Sequence, residues 1–285
     1  MSQTLSGQST QHHLLPHPDL PSFPESISLE FMYSHTSSSF TTVWRPLLNY
    51  VVTSSCVHGH LALWKNGVHH RDISPSKLMY YRDKNGNIAG VLIDFDLTSS
   101  GGAQRITGAA SFMALDLLTK PALRGEAQHL YEHDAESFIW VLAWISLRYS
   151  DGKPLKNTEL DKWLRVDAVT CGEKKWAFLF QSGSLHRNKA YPPGEGHEHH
   201  LEIVQAYLVS IQLIQSIHAA SSLELQRRSR RAERTGQSMV LEKAQPEKPE
   251  TVFKKFFVDP IDVEDWGSVF VGMNWVEDFV GSTRN

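Results

Sequence analysis

The chain has 285 residues, room for one large domain or two small ones. Hydrophobic residues make up 41% and charged residues 21%, as in ordinary globular proteins, and a net charge of −3 gives no electrostatic basis for binding nucleic acid or an acidic membrane surface. Two cysteines, Cys56 and Cys171, cannot build a disulfide framework. No apolar run reaches the roughly 18 residues of a membrane span, and no basic-then-apolar leader opens the chain; the expectation is an intracellular protein, cytoplasmic or nuclear.

Residues 1–40 are rich in Ser, Thr, Pro and His without periodicity and read as mostly disordered. From Thr41, Trp44, Leu47, Leu48, Val51 and Val52 recur at helical steps; Leu61 and Trp64 continue that face, and Asn66-Gly67 stops it. A β-hairpin follows. Leu78-Met79-Tyr80-Tyr81 is one strand, residues 83–87 are turn chemistry, and Ile88 to Ile93 is a second run, too apolar to alternate and therefore expected to be buried. Further on, Asp134 is a good helix N-cap, and Phe138 to Leu147 is apolar nearly all round, as suits a helix in the centre of a lobe. Between 150 and 195 the expected buried positions are Leu160, Trp163, Leu164, Trp176, Phe178 and Phe180. A long helix from His199 to about Arg231 presents Ile203, Val204, Tyr207, Leu208, Ile211, Ile214 and Ile217, and ends in an arginine-rich run. The resulting division is a disordered segment (1–40), a folded lobe (41–234), a polar linker (235–250) and a tail (251–285) that includes Phe256, Phe257, Trp266, Phe270 and Trp275.

The chemistry sits at the two ends of the hairpin. His70-Arg71-Asp72 precedes its first strand and Asp94-Phe95-Asp96 follows its second, so antiparallel pairing brings two carboxylates together at one end of a small sheet. Such a pair suits a proton acceptor and a magnesium ligand, because a hard dication takes oxygen donors. Both motifs, their spacing of roughly 20 residues and the intervening hairpin resemble the catalytic loop and metal-binding segment of protein kinases. The wording His-Arg-Asp-Ile-Ser-Pro and Leu-Ile-Asp-Phe-Asp-Leu is similar in particular to the fungal-type protein kinase family. The resemblance covers about Val51 to Arg148 and fades towards the C-terminus.

The resemblance implies an α+β fold, mainly α-helical: the C-terminal lobe of a protein kinase, with the small hairpin carrying the catalytic loops. It also implies γ-phosphoryl transfer from Mg-ATP to protein Ser or Thr. Asp72 would accept the hydroxyl proton, Arg71 and His70 would complete the catalytic loop, and Asp94 would hold the metal. Asp134 would hold the loop backbone. The chain departs from that pattern in several places. Where the family has a metal-binding asparagine, five residues after the catalytic Asp, this chain has Lys77, which offers three donors and no acceptor. Ser74 stands where Ser/Thr kinases often place a phosphate-facing lysine, so the nucleotide-facing set becomes Asp94, Lys77 and Ser74. Asp96 replaces the glycine of the metal-binding triplet. The triplet closing the activation segment is Ala114-Leu115-Asp116, whose shortened acid is expected to pair with a distant arginine. Thr98, Ser99, Ser100, Thr107 and Ser111 are candidate phosphorylation sites. No lysine precedes Lys65, and the only earlier glycines are Gly7 and Gly59. The expectation is a C-terminal lobe with the N-terminal lobe absent, weak or absent Mg-ATP binding, and weak or no activity.

Other readings compete. The chain is alternatively a non-catalytic pseudokinase, an interaction module whose protein partner is unknown; neither nucleic acid nor membrane is expected as a partner. His129, Glu132 and His133 fit the short H-x-x-E-H pattern of inverted zinc peptidases, a remote alternative that needs both histidines on one helical face. His197 to His200 reads as a solvated helix start, and Arg227 to Arg231 as a solvated helix end or a nuclear-import patch.

Overall fold

The computed structural model describes residues 30–31, 46–84, 86–95, 110–150, 153–155, 157–181, 198–235 and 245–261. Asp96, Thr98, Ser99, Ser100, Thr107, His197, Trp266, Phe270 and Trp275 lie outside the described residues. So does nearly all of 1–40, apart from Glu30–Phe31 (β1), an edge strand.

Helix α1 (Pro46–Lys65) starts with proline, whose fixed φ and missing N–H suit a first turn. It ends as Asn66-Gly67 foretold. Gly67 has φ +81°, its N–H bonds Trp64 O, and the Val68 N–H reaches back to Leu63 O, closing the last turn. Two strands follow, β2 (Leu78–Arg82) and β3 (Ile88–Leu92), antiparallel with Leu78 opposite Leu92 and Arg82 opposite Ile88; β1 pairs antiparallel on the free edge of β2. The hairpin is where the sequence puts it, but β3 is not buried as expected. Only Leu92 is, and Ile88 to Val91 are half-buried; among the described residues the helix packed on this strand is α1. That cover is close. A Cβ on Gly90 would stand 2.1 Å from the Val52 carbonyl oxygen of α1, so the strand fits against the helix only because residue 90 has no side chain.

After the short helix α2 (Lys120–Leu123) comes α3 (Tyr131–Arg148), the centre of the molecule. From Tyr131 to Leu147 all but Glu132 and Ser146 are buried, and Phe138, Trp140, Val141 and Ala143 are fully so. Each large apolar side chain removed from water stabilises by roughly 1.5–3 kcal/mol, which makes this helix the main source of cohesion. Strands β4 (Tyr149–Ser150) and β5 (Lys153–Pro154) form a second small sheet, and a 3-10 turn, Glu159–Arg165, leads to α4 (Ala168–Gln181).

Two expectations for burial in this stretch fail for reasons of period. The 3-10 turn repeats every three residues, so Leu160 and Trp163 go in and Leu164 comes out, 55% exposed. In α4 the inward face is Cys171, Gly172, Lys175, Phe178 and Leu179; Phe180 is on the other side and 62% exposed.

Helix α5 (Glu198–Thr235) packs its first half on α3 through Leu201, Ile203, Val204, Leu208 and Ile211. Ile217, expected in the same face, is exposed. By length and composition Leu201–Thr235 would reach across a membrane, although its apolar residues are interrupted by polar ones; 39% of its most apolar window is buried inside the molecule. The chain closes with α6 (Pro249–Phe253), continued by a π-helical turn to Val258. Val252, Phe253 and Phe256 are buried against α1, α3 and α5, so the tail packs back on the lobe, starting a few residues earlier than the sequence division.

The core also contains two buried ionisable side chains that the sequence did not reveal. Glu136 on α3 accepts from the Leu115 N–H and the Trp140 indole N–H, each at 2.8 Å. Lys175 on α4 is fully buried, donates to Met113 O, and stands 4.4 Å over the Trp140 ring. Burial raises the Glu136 pKa and lowers that of Lys175, and each charge opposes the other's shift.

Candidate catalytic site

The hairpin register builds the site. Beyond the Leu78–Leu92 pair, the Ile93 N–H donates to Lys77 O at 3.0 Å, which sets Lys77 beside Asp94. On the other side, His70 is fully buried and its Nε2–H donates to Ile93 O at 2.9 Å, while its Nδ1 accepts the Asp72 N–H at 3.2 Å. One imidazole thus ties the two acidic motifs together. Burial holds its pKa below the ordinary histidine value, so it works as a neutral ring with one donor and one acceptor.

Asp134 anchors the same loop from below. It is not a helix cap: α3 has already begun at Tyr131, and the Leu130 N–H is satisfied by His133 Nδ1 at 3.0 Å. Asp134 is buried and accepts from three donors, His60 Nε2–H at 2.9 Å, His129 Nε2–H at 2.7 Å and the Arg71 N–H at 3.1 Å. Burial alone would raise its pKa, but His129 and His60 outweigh it and hold the carboxyl well below the usual range. The arrangement explains two unusual backbone conformations. Arg71 and Asp94 both have φ +66°, a region that costs a residue with a side chain of order 1–3 kcal/mol unless its surroundings impose it. The bonds from Asp134 to Arg71 and from His70 to Asp72 and Ile93 supply that restraint.

The two carboxylates converge as the sequence requires, and a lysine lies between them. Lys77 Nζ pairs with Asp72 Oδ2 and stands 3.1 Å from Asp94 Oδ2. Lys77 and Asp72 are mostly enclosed, with side chains 14% and 27% exposed, whereas Asp94 is 71% exposed. Burial works against the Lys77 ammonium, but the two carboxylates outweigh it and raise its pKa, so the lysine stays charged. The remaining expected residues lie nearby in other roles. Ser74 is buried, with its hydroxyl 3.1 Å from that of Ser76. The Arg71 guanidinium donates to His69 Nδ1 at 3.2 Å, and His69 in turn stacks on Trp64 at 3.9 Å between ring centres.

Asp116 pairs with a histidine where an arginine was expected: His218 Nδ1 on α5, at 3.3 Å. Ser111 is buried. The H-x-x-E-H pattern does not form a helical pair, because His129 precedes α3 and is bound to Asp134. The ligand atoms that do cluster, within 4.8 Å of one another, belong to Asp116, Glu132 and His133. His133 Nδ1 accepts an N–H, so its Nε2 carries the proton, the reverse of a metal-bound histidine, whose second nitrogen donates. His60, His69 and His129, the unforeseen members of the site, had one signal in the sequence: several histidines on the helix and loops flanking the two acid motifs.

Residues 46–146 match the fungal protein kinase family. The match runs from the start of α1 to near the end of α3 and so takes in the hairpin, both acids and Asp134, but not α4, α5 or α6. No curated protein and no solved structure matches the chain.

Fungal protein kinases as a family use Mg-ATP, so the site must be tested for a divalent cation. Asp72 and Asp94 supply oxygen donors of the right kind. The place of the third donor holds an ammonium instead, bonded to both acids. A cation cannot take the shared space without expelling Lys77, and the residues present do not fit the metal.

Proposed function

We propose that this chain carries the larger, helical lobe of a fungal-type protein kinase in a non-catalytic form, a pseudokinase module. The family chemistry is phosphoryl transfer from ATP to a protein hydroxyl, with catalysis by positioning and charge neutralisation. The observation that carries the reading is the Lys77 ammonium bridging Asp72 and Asp94. It occupies the base and the metal ligand at once, and it keeps its charge. The scaffold around the acids supports the kinase half of the reading: His70 joins the two motifs and Asp134 holds the loop backbone.

A thermal-shift scan with and without Mg-ATP tests it. A nucleotide-competent site is stabilised by mass action, by about 2.7 kcal/mol at a ligand concentration one hundred times Kd. The locked site leaves the melting temperature of the parent chain unchanged with Mg-ATP. A saturable rise that Asp94→Asn removes overturns the proposal.

A further inference from the structure

The second half of α5 lacks a partner among the described residues. The helix is 38 residues long, ~57 Å at 1.5 Å per residue, and from residue 219 nearly every side chain is exposed. In proteins most helical stability comes from packing of an apolar face rather than from propensity, and the projecting end has apolar side chains left to pack.

One stripe of the helix shows what fits. Residues 202, 206, 209, 213, 217, 220, 223, 227, 231 and 234 fall three or four apart and share one face. The face opens with Glu202 and continues with Ala206, Val209, Leu213 and Ile217; Val209, Leu213 and Ile217 are 47–60% exposed. Ala220 and Leu223 follow, and Arg227, Arg231 and Arg234 close it. The early part of the stripe forms one wall of a groove of about 770 Å³ whose other wall is Val252 and Phe256. The groove rim carries four carboxylates, Glu132, Glu202, Glu247 and Asp259, against one ammonium, Lys255. The far end of the same helix has five arginines between 227 and 234 against Glu233.

We propose that the chain forms a homodimer through this stripe, two α5 helices antiparallel, the arginine end of each copy seated on the acid-rimmed apolar groove of the other. Antiparallel order is what the charges demand; parallel helices would set five arginines against five. It also matches size along the seam, with Leu213 opposite Leu223 and Ile217 opposite Ala220 when Glu202 faces Arg234. The chain's own residues 262–285 suit the groove less well. They carry Asp262, Glu264, Asp265, Glu277 and Asp278 against the single Arg284, acid against acid. The contact uses none of the catalytic-loop residues, so it stands or falls separately from the kinase reading.

Sedimentation equilibrium of the full chain at micromolar concentration tests the proposal, alongside Leu213→Glu and the double variant Arg227→Glu/Arg231→Glu. The expected result is a dimer for the parent, association weakened at least tenfold towards monomer in each variant, and a parent dimer that loosens as salt rises. All three positions are exposed, so both variants keep the parent's circular dichroism; the arginine variant alone decides should Leu213→Glu fail to fold. A parent that is monomeric throughout, whether or not it sediments with anionic vesicles, overturns the proposal. So does a dimer that survives the arginine reversal.

Discussion

Asp134 shows how much one buried carboxylate can organise. Its three donors come from α1, from the loop before α3 and from the backbone of the catalytic loop, so Asp134→Ala strands two imidazoles and a peptide N–H in the interior. The expected loss is about 3 kcal/mol or more, read by urea unfolding; a loss under 1 kcal/mol would mean the loop holds its left-handed conformation unaided. Lys77→Asn should act differently. It removes a partly enclosed ion pair and leaves Asp72 and Asp94 facing each other, so the variant loses about 1–2 kcal/mol in chelator and regains it on adding magnesium, while the parent does not respond. Equal insensitivity of both proteins to magnesium would show that the lysine is not what keeps the cation out. His133 gives a pH signature. Burial, with nearby His129 second, pushes its pKa down to about 4, whereas the unfolded imidazole takes up its proton near 6.5. Between those values the unfolded state binds the extra proton, so stability falls as pH falls, by about 1.4 kcal/mol per unit from this one ring. Over a series from pH 7.5 to 4.5, the melting temperature of the parent relative to His133→Asn should shrink steadily below 6.5; a constant difference contradicts the assignment.

At the scale of elements, the tightest joint is β3 on α1. Gly90→Ala drives a methyl to within 2.1 Å of a helix carbonyl oxygen, and neither backbone can give way without opening the other side of the joint. A loss of about 3 kcal/mol is expected from chemical denaturation, and a variant as stable as the parent would mean the sheet slides freely under the helix. The joint also marks what the sequence could and could not show. The hairpin was legible because its turn chemistry and its two apolar runs agree, and its consequence, Asp72 near Asp94, followed from strand pairing alone. The Gly67 stop and the greasy α3 were legible for the same reason: local preference and global role coincide there. Leu164 and Phe180 were misplaced because an apolar residue carries no label for a three-residue period or a shifted face. His60, His129 and the buried Glu136 and Lys175 stayed hidden because each depends on a contact between elements distant in the chain, which no local pattern records. Lys77 was visible as a departure, but its bond to both acids required the register of the folded hairpin.

For the whole molecule, the stretch that matches the fungal protein kinase family holds two acid motifs in place around an ammonium that pairs with both. The loops are pinned, the carboxylates converge, and Lys77 stands between them, its pKa raised by both acids. The long helix beyond the family match adds a surface to which Asp72, Lys77 and Asp94 do not contribute. The most direct measurement is transfer of radiolabelled phosphate from Mg-ATP to a general protein acceptor by the purified full chain, run beside Asp72→Asn and Asp94→Asn. The signal from the parent should equal that of the two variants; incorporation well above them, abolished by either substitution, would contradict the lock.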